Sequence, residues 1–178
     1  MPIINQFKTA LGAGGARPNQ FGVRITFPSL ITNLTRPGSQ GGYDILVTST
    51  SLPASNMNPT VVKYRGRDVK LAGERTFDPW SLTVMNDTGF SYRNAFEDWM
   101  ESMNSRATNE ADKLNPADYS RDIQVDQLSR NGAVLASYTL KDAFPINMSE
   151  IALNYSTDNV IEEYTVTFAY AHYTRVAV

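Results

Sequence analysis

The chain has 178 residues, a formal net charge of -2 and no cysteine. That length suits one domain with a sizeable core, and the absence of a basic excess argues against a surface built to grip phosphates. Without cysteine there are no disulfides, thiolate metal sites or thiol nucleophiles, as in a protein made in a reducing cytoplasm. No apolar run approaches the roughly 20 residues that cross a bilayer, and no basic-then-apolar leader opens the chain, so membrane insertion is not expected. Arg outnumbers Lys about two to one, a bias toward planar cations suited to interface ion pairs.

Ile3, Ile4, Phe7 and Leu11 recur at helical spacing before Gly12, Gly14 and Gly15, so residues 1–17 read as an N-terminal arm with a short amphipathic helix. Such an arm buries too little to be stable alone and is expected to be pinned by the core or by a neighbouring subunit. From Phe21 the period changes to two, with Phe21, Val23, Ile25 and Phe27 opposed to Arg24 and Thr26, which predicts the first strand. Pro28 to Gly42 reads as a long loop, and Tyr43 to Leu52, stopped by Pro53, as a second strand. Val61 to Leu71 alternates apolar and charged residues around Gly66, the pattern of a hairpin that protrudes beyond the sheet.

Over Leu71 to Asp87, Gly73 reads as a positive-φ turn residue, while Trp80, Leu82 and Val84 share one face of a half-buried strand. Asn86, Asp87 and Thr88 offer side-chain oxygens to cap a helix over 88–104. That helix sets Tyr92, Ala95, Phe96, Trp99, Met100 and Met103 on one side, a pattern better explained by core packing than by a partner's groove. Residues 105–119 are polar and interrupted by Pro116, a surface loop. Ile123 to Leu128 and Val134 to Leu140 flank Asn131-Gly132, a two-residue hairpin signal. A loop at Pro145 then leads to a final long strand from Val160 to Val176.

Chemistry is scarce. His172 is the single histidine, with no second ligand and no serine or aspartate motif beside it. Asp122 with Asp126, and Glu162 with Glu163, are better read as solvated strand faces than as acid–base pairs. The glycine turns lack the Lys-Ser or Lys-Thr ending of a phosphate cradle. An enzyme is therefore not expected, nor a metal or cofactor, and a hydrolase could survive only as serine or carboxylate chemistry without histidine.

The run from Gly73 to Asp87, GERTFDPWSLTVMND, resembles the signature of the tail tube proteins of contractile-tailed (myovirus) bacteriophages, and weaker similarity extends to ARPNQFGVRITF, to TSLPAS and to the C-terminal strands. The resemblance implies a mainly β (α+β) fold, a two-sheet β-sandwich or barrel with one flanking α-helix, forming a single tail tube domain over residues 1–178. It implies a structural subunit of the virion, made in the host cytoplasm. Hexameric rings of it would stack into a hollow tube that meets sheath, baseplate and tail terminator proteins, encloses a tape-measure protein and later passes double-stranded DNA.

Physics favours such an assembly, because unpaired strand edges must be hidden and ring closure hides them, while contacts that do not close along the axis repeat indefinitely. On this reading Arg65, Arg67, Lys70, Glu74, Arg75 and Asp78 are expected at subunit contacts. Asp122, Gln124 and Asp126 are expected to line a bore that is neutral or acidic, so that DNA does not exchange its counterions for the wall. The alternatives are the inner-tube protein of a bacterial contractile injection system, which shares the fold, and a β-sandwich ligand-binding module using exposed aromatics and the Pro28 to Gly42 loop.

Overall fold

Two antiparallel sheets are built around one shared strand. The computed structural model describes residues 2–12, 15–29, 31, 42–111 and 115–176. Its strands are β1 (Phe21–Ile25), β2 (Val47–Thr50), β3 (Asn56–Tyr64), β4 (Arg67–Thr76), β5 (Trp80–Met85), β6 (Arg121–Leu128), β7 (Val134–Met148), β8 (Glu163–Ala169) and β9 (His172–Val176), with helices α1 (Pro2–Ala10), α2 (Ser91–Met103) and α3 (Pro116–Tyr119). The first half of β7 pairs with β6 and β9, giving a sheet ordered β1-β6-β7-β9. Its second half pairs with β8, giving β7-β8-β5-β2. The β3–β4 pair forms a separate ribbon.

The change of sheet happens at Asp142, whose φ is 55°. Leu140 and Ala143 are both fully buried although three residues apart, so the left-handed residue between them adds one step to the period of two. The partner strand breaks at the same level, at Tyr170 and Ala171, and the single long strand expected from Val160 is therefore two. Pro145 lies in no loop. It sits inside β7 opposite Phe168, immediately before a register shift, where a missing N–H is tolerated.

Other expectations are corrected locally. Gly73 is a strand residue of β4 and not a turn: a Cβ there would stand 2.3 Å from the Asn58 carbonyl oxygen, beside the register shift between Met57 and Pro59. The β6–β7 turn spans Arg130, Asn131 and Gly132, closed by Ser129 N–H to the Ala133 oxygen at 2.7 Å and Gly132 N–H to the Ser129 oxygen at 3.0 Å. Only Gly132 takes a positive φ, 81°, so it serves as the left-handed residue that ends a three-residue loop. The second strand contracts to β2, because Asp44 turns inward. Pro116 opens α3 instead of breaking a loop, with Asn115 Oδ1 accepting from Ala117 N–H at 3.1 Å. The predicted loop from Pro28 to Gly42 lies largely outside the described residues.

The core fills the space between the sheets and α2. Val23, Ile25, Ile123 and Val125 face it from one sheet and Leu82, Val84, Val166 and Phe168 from the other, closed by Tyr92, Phe96 and Trp99 of α2. Phe27 and Phe168 each touch several rings, Phe27 lying 5.2 Å from Phe96, 5.6 Å from Trp99 and 6.2 Å from Tyr92 between ring centroids, and Phe168 packing on Trp80, Phe96 and Trp99. The helix begins three residues later than expected, at Ser91 behind a left-handed Phe90, and of the three candidate caps Asp87 supplies the acceptor: its Oδ1 takes Ser91 N–H at 2.9 Å and its Oδ2 the Ser91 hydroxyl at 2.8 Å. Buried Asp44 ties the layers together, receiving Ile25 N–H at 2.7 Å and the Tyr92 hydroxyl at 2.5 Å while its own N–H reaches the Val23 oxygen at 2.8 Å. Burial raises the Tyr164 hydroxyl pKa well above its ordinary value, so this core tyrosine stays neutral.

Candidate functional site

The described residues bring no catalytic constellation together. Among the described residues no cluster of His, Cys, Asp and Glu could hold a metal ion. His172 is exposed on β9, facing Lys141 across the ladder. The surfaces that stand out are a ribbon, a sheet face and strand edges.

The β3–β4 ribbon projects on its own. Arg65 and Gly66 form its tip with φ of 48° and 82°, the pair of left-handed residues that a tight two-residue hairpin needs. Residues of both strands are exposed, Gly73 alone being half-buried. The register places Tyr64 opposite Arg67, Val62 opposite Val69 and Thr60 opposite Leu71 on one face, and Lys63 opposite Asp68 and Val61 opposite Lys70 on the other. Tyr64, Val62, Val69 and Leu71 are 62, 47, 43 and 52% exposed, so one face of the ribbon is an apolar stripe in water. An isolated two-stranded ribbon is marginal, and such a stripe signals a partner.

The six charged residues singled out in the sequence distribute along this ribbon. Arg65 is at the tip with its guanidinium 5.4 Å over the Tyr64 ring, Arg67, Lys70, Glu74 and Arg75 follow along β4, and Asp78 lies just beyond it, accepting from Asn56 Nδ2 at 2.7 Å. Sequence reasoning missed the stripe of Tyr64, Val62, Val69 and Leu71. The alternation was visible, but which residues share a face depends on the β3–β4 register.

The second surface is the face of β1-β6-β7-β9 turned away from the core. Cross-strand rows Arg24–Gln124–Thr139–Thr174 and Gly22–Asp126–Ser137–Val176 cover it. Its cations are already engaged. Lys141 Nζ is bonded to the Asp122 carboxylate, and Arg24 donates to Gln124 Oε1 and to the Gly42 oxygen at 3.1 Å each while lying 5.1 Å from the Tyr43 ring centre. Asp122, Gln124 and Asp126 thus share one face, but they are not equally open. Asp122 and Gln124 are half-buried, whereas Asp126 is 1% exposed, roofed by Tyr43, whose hydroxyl donates to it at 2.7 Å. Gln124 Nε2 bonds the same carboxylate and Ser137 Oγ. Burial first, then the hydrogen bond to Asp126, raises the Tyr43 hydroxyl pKa.

Gly22 is what allows that roof. A Cβ at this position would come 2.5 Å from the Tyr43 ring. Gly22→Ala is expected to expel Tyr43, open the Asp126 carboxylate and lower stability by about 1–3 kcal/mol, the usual range for overpacking. Urea unfolding followed by ring-sensitive NMR of Tyr43 would check it, and an unchanged Tyr43 environment would refute it.

Strand edges complete the picture. β1 has its outer edge engaged by Asp44, while β9 pairs only with β7 and presents its other edge unpaired among the described strands. β2 ends the second sheet. An unpaired strand edge and a ribbon with an exposed apolar stripe are the surfaces of a protein that works by assembling.

Comparison with known proteins agrees. The family model described as phage tail tube protein matches residues 16–176, and the chain belongs to that family. It is 34% identical over 155 residues to tail tube protein gp19 of Enterobacteria phage T4, covering 86% of this chain and 88% of that one. It is 27% identical to the tail tube protein of Serratia phage KSP90, over 96% of this chain and 95% of that one. A cryo-EM structure of the sheath–tube complex of an extracellular contractile injection system, in the extended state, contains the same fold at a TM-score of 0.61 and 15% identity, covering 96% of this chain and 98% of that one. The protein is a structural tail tube subunit of a contractile phage tail and part of the virion.

Proposed function

We propose that the chain acts as one tail tube domain whose copies close into hexameric rings and stack into the hollow inner tube of the tail, within a sheath and between baseplate and terminator. The observation that carries this reading is the self-paired ribbon with its exposed apolar stripe, which a lone subunit leaves in water. In the ring, the β1-β6-β7-β9 sheets stand side by side as a continuous wall with the free edge of β9 turned to the neighbouring subunit, and the ribbons reach the neighbouring ring, where Arg65, Arg67, Lys70, Glu74, Arg75 and Asp78 set register and the stripe supplies affinity. The role is mechanical and not enzymatic.

The polar face carries the bore. Lys141 is offset by Asp122 and Arg24 is drawn back by hydrogen bonds to Gln124 and Gly42, so these cations compete less well for phosphates and double-stranded DNA slides past a wall of hydroxyls, amides and engaged charges. Asp122 and Gln124 are its contact residues, and Asp126 fixes the wall from beneath Tyr43. The family match and the relatives named favour a phage tail, with DNA as cargo, over an injection system carrying effectors.

Negative-stain microscopy of the purified protein tests assembly: hollow tubes or rings are expected, and isolated globules at every concentration and salt would overturn the reading. Arg75→Glu is expected to reduce tube growth at least about tenfold by placing a like charge in a contact, while leaving the circular dichroism unchanged. Normal tubes from this variant would remove Arg75 from the interface.

A further inference from the structure

The N-terminal helix has its apolar side in water. Ile3, Ile4, Phe7 and Leu11 are 76, 51, 63 and 44% exposed, although a helix of 9 residues is too short to persist without a surface beneath it. Among the described residues a second bare apolar patch lies in the segment between β7 and β8, where Leu153, Tyr155, Val160 and Ile161 are 80, 108, 69 and 62% exposed. This segment flanks a groove of about 760 Å³ lined by Met85, Ile151, Leu153, Val160, Ile161 and Glu163 among others.

The charges of the two patches are opposite. No acidic residue occurs before Asp44, and the arm contributes Lys8 and Arg17. The groove segment carries Glu150, Asp158, Glu162 and Glu163 and no base.

They also sit at opposite ends of the shared strand. Leu11 and Gly15 line a cleft with Leu128, Arg130 and Leu135, which puts the end of α1 at the β6–β7 turn, where β7 begins. The groove lies past Met148, where β7 ends, beside the first residue of β8. At about 3.3 Å per residue β7 would span roughly 45 Å, and even a right-angle bend at Asp142 would leave its ends about 30 Å apart. A helix rising 1.5 Å per residue reaches about 14 Å from its anchor. An arm held at one end of β7 therefore falls short of its own groove.

We propose that α1 docks into the groove between β7 and β8 of a second copy, its apolar face on Leu153, Val160 and Ile161 and Lys8 toward the acidic rim. Because donor and acceptor are different surfaces at opposite ends of the subunit, the contact is heterologous, and made between successive rings it repeats along the stack. This deepens the tube reading and rests on it, adding a second strap between subunits beside the β3–β4 ribbon.

The absence of cysteine makes the test clean, since every disulfide is an engineered one. Equal amounts of Ile4→Cys and Leu153→Cys proteins, assembled and mildly oxidised, are expected to give a disulfide-linked dimer well above either protein alone, and Phe7→Cys with Val160→Cys provides a second pair. Lys8→Glu is expected to lower tube yield about tenfold, and Lys8→Glu combined with Asp158→Lys to restore it. Tubes that grow normally from Lys8→Glu while neither cysteine pair links would overturn the docking and leave the tube reading intact. A doubly substituted chain that closes its disulfide within itself would also overturn it. Wild-type protein that forms neither rings nor tubes would instead remove the tube reading.

Discussion

Trp99→Ala is expected to lower stability by about 3–5 kcal/mol, the range for truncating a large buried aromatic, out of roughly 5–15 kcal/mol that a domain usually possesses. Trp99 is fully buried, its ring lies 5.6 Å from Phe27 and 6.1 Å from Phe168, and its Nε1 donates to the Tyr119 oxygen at 2.7 Å. One side chain therefore joins α2 to the sheet and to α3. Removing it opens a cavity and leaves the Tyr119 carbonyl without its donor. At about 2–4 °C per kcal/mol for a protein of this size, the melting temperature should fall by roughly 6–20 °C. A scan showing no shift would mean that α2 is not anchored through this residue.

Excising the β3–β4 ribbon should have the largest effect on assembly. Asn56 and Thr76 face each other in register, so joining them through an Asn-Gly turn closes the chain without disturbing either sheet. The ribbon contributes no residue to the buried core, and the excised protein is expected to melt within about 2 °C of the parent. Stacking should fail. If each of six ribbons per ring contributes even about 1 kcal/mol, their loss lowers ring–ring association roughly ten-thousandfold. Light scattering and microscopy should then find rings without tubes, and tubes of ordinary length would show that stacking does not use the ribbon.

Both effects trace back to patterns written locally in the chain. The alternation of Trp80, Leu82 and Val84 and the helical stripe of Tyr92, Phe96 and Trp99 located a strand and a helix correctly because burial on one face imposes a period that neighbouring residues display. The ribbon was legible from the alternation of apolar and charged residues around Gly66, whereas the positive φ that Arg65 shares with it was not. Where reading failed, the cause was a long-range contact. Gly73 resembled a turn because glycine is usually one; its bareness instead answers the Asn58 carbonyl on the opposite strand. Pro145 resembled a breaker, but a bulge against Phe168 accepts it. Asp126 carried the marks of a solvated strand face, and only the return of Tyr43 from far away in the chain covers it.

The sequence by itself determined most of the strands and the long helix, the protruding ribbon, the shortage of reactive groups and the family, because propensity, periodicity and a motif are properties of adjacent residues. The tertiary structure alone decided that β7 serves two sheets, that the ribbon has an apolar stripe, that the basic arm and the acidic groove stand at opposite ends, and that the cations of the polar face are already paired. Each of these depends on which distant residues are brought within a few ångströms, and register, bends and burial become defined only when the chain has closed on itself.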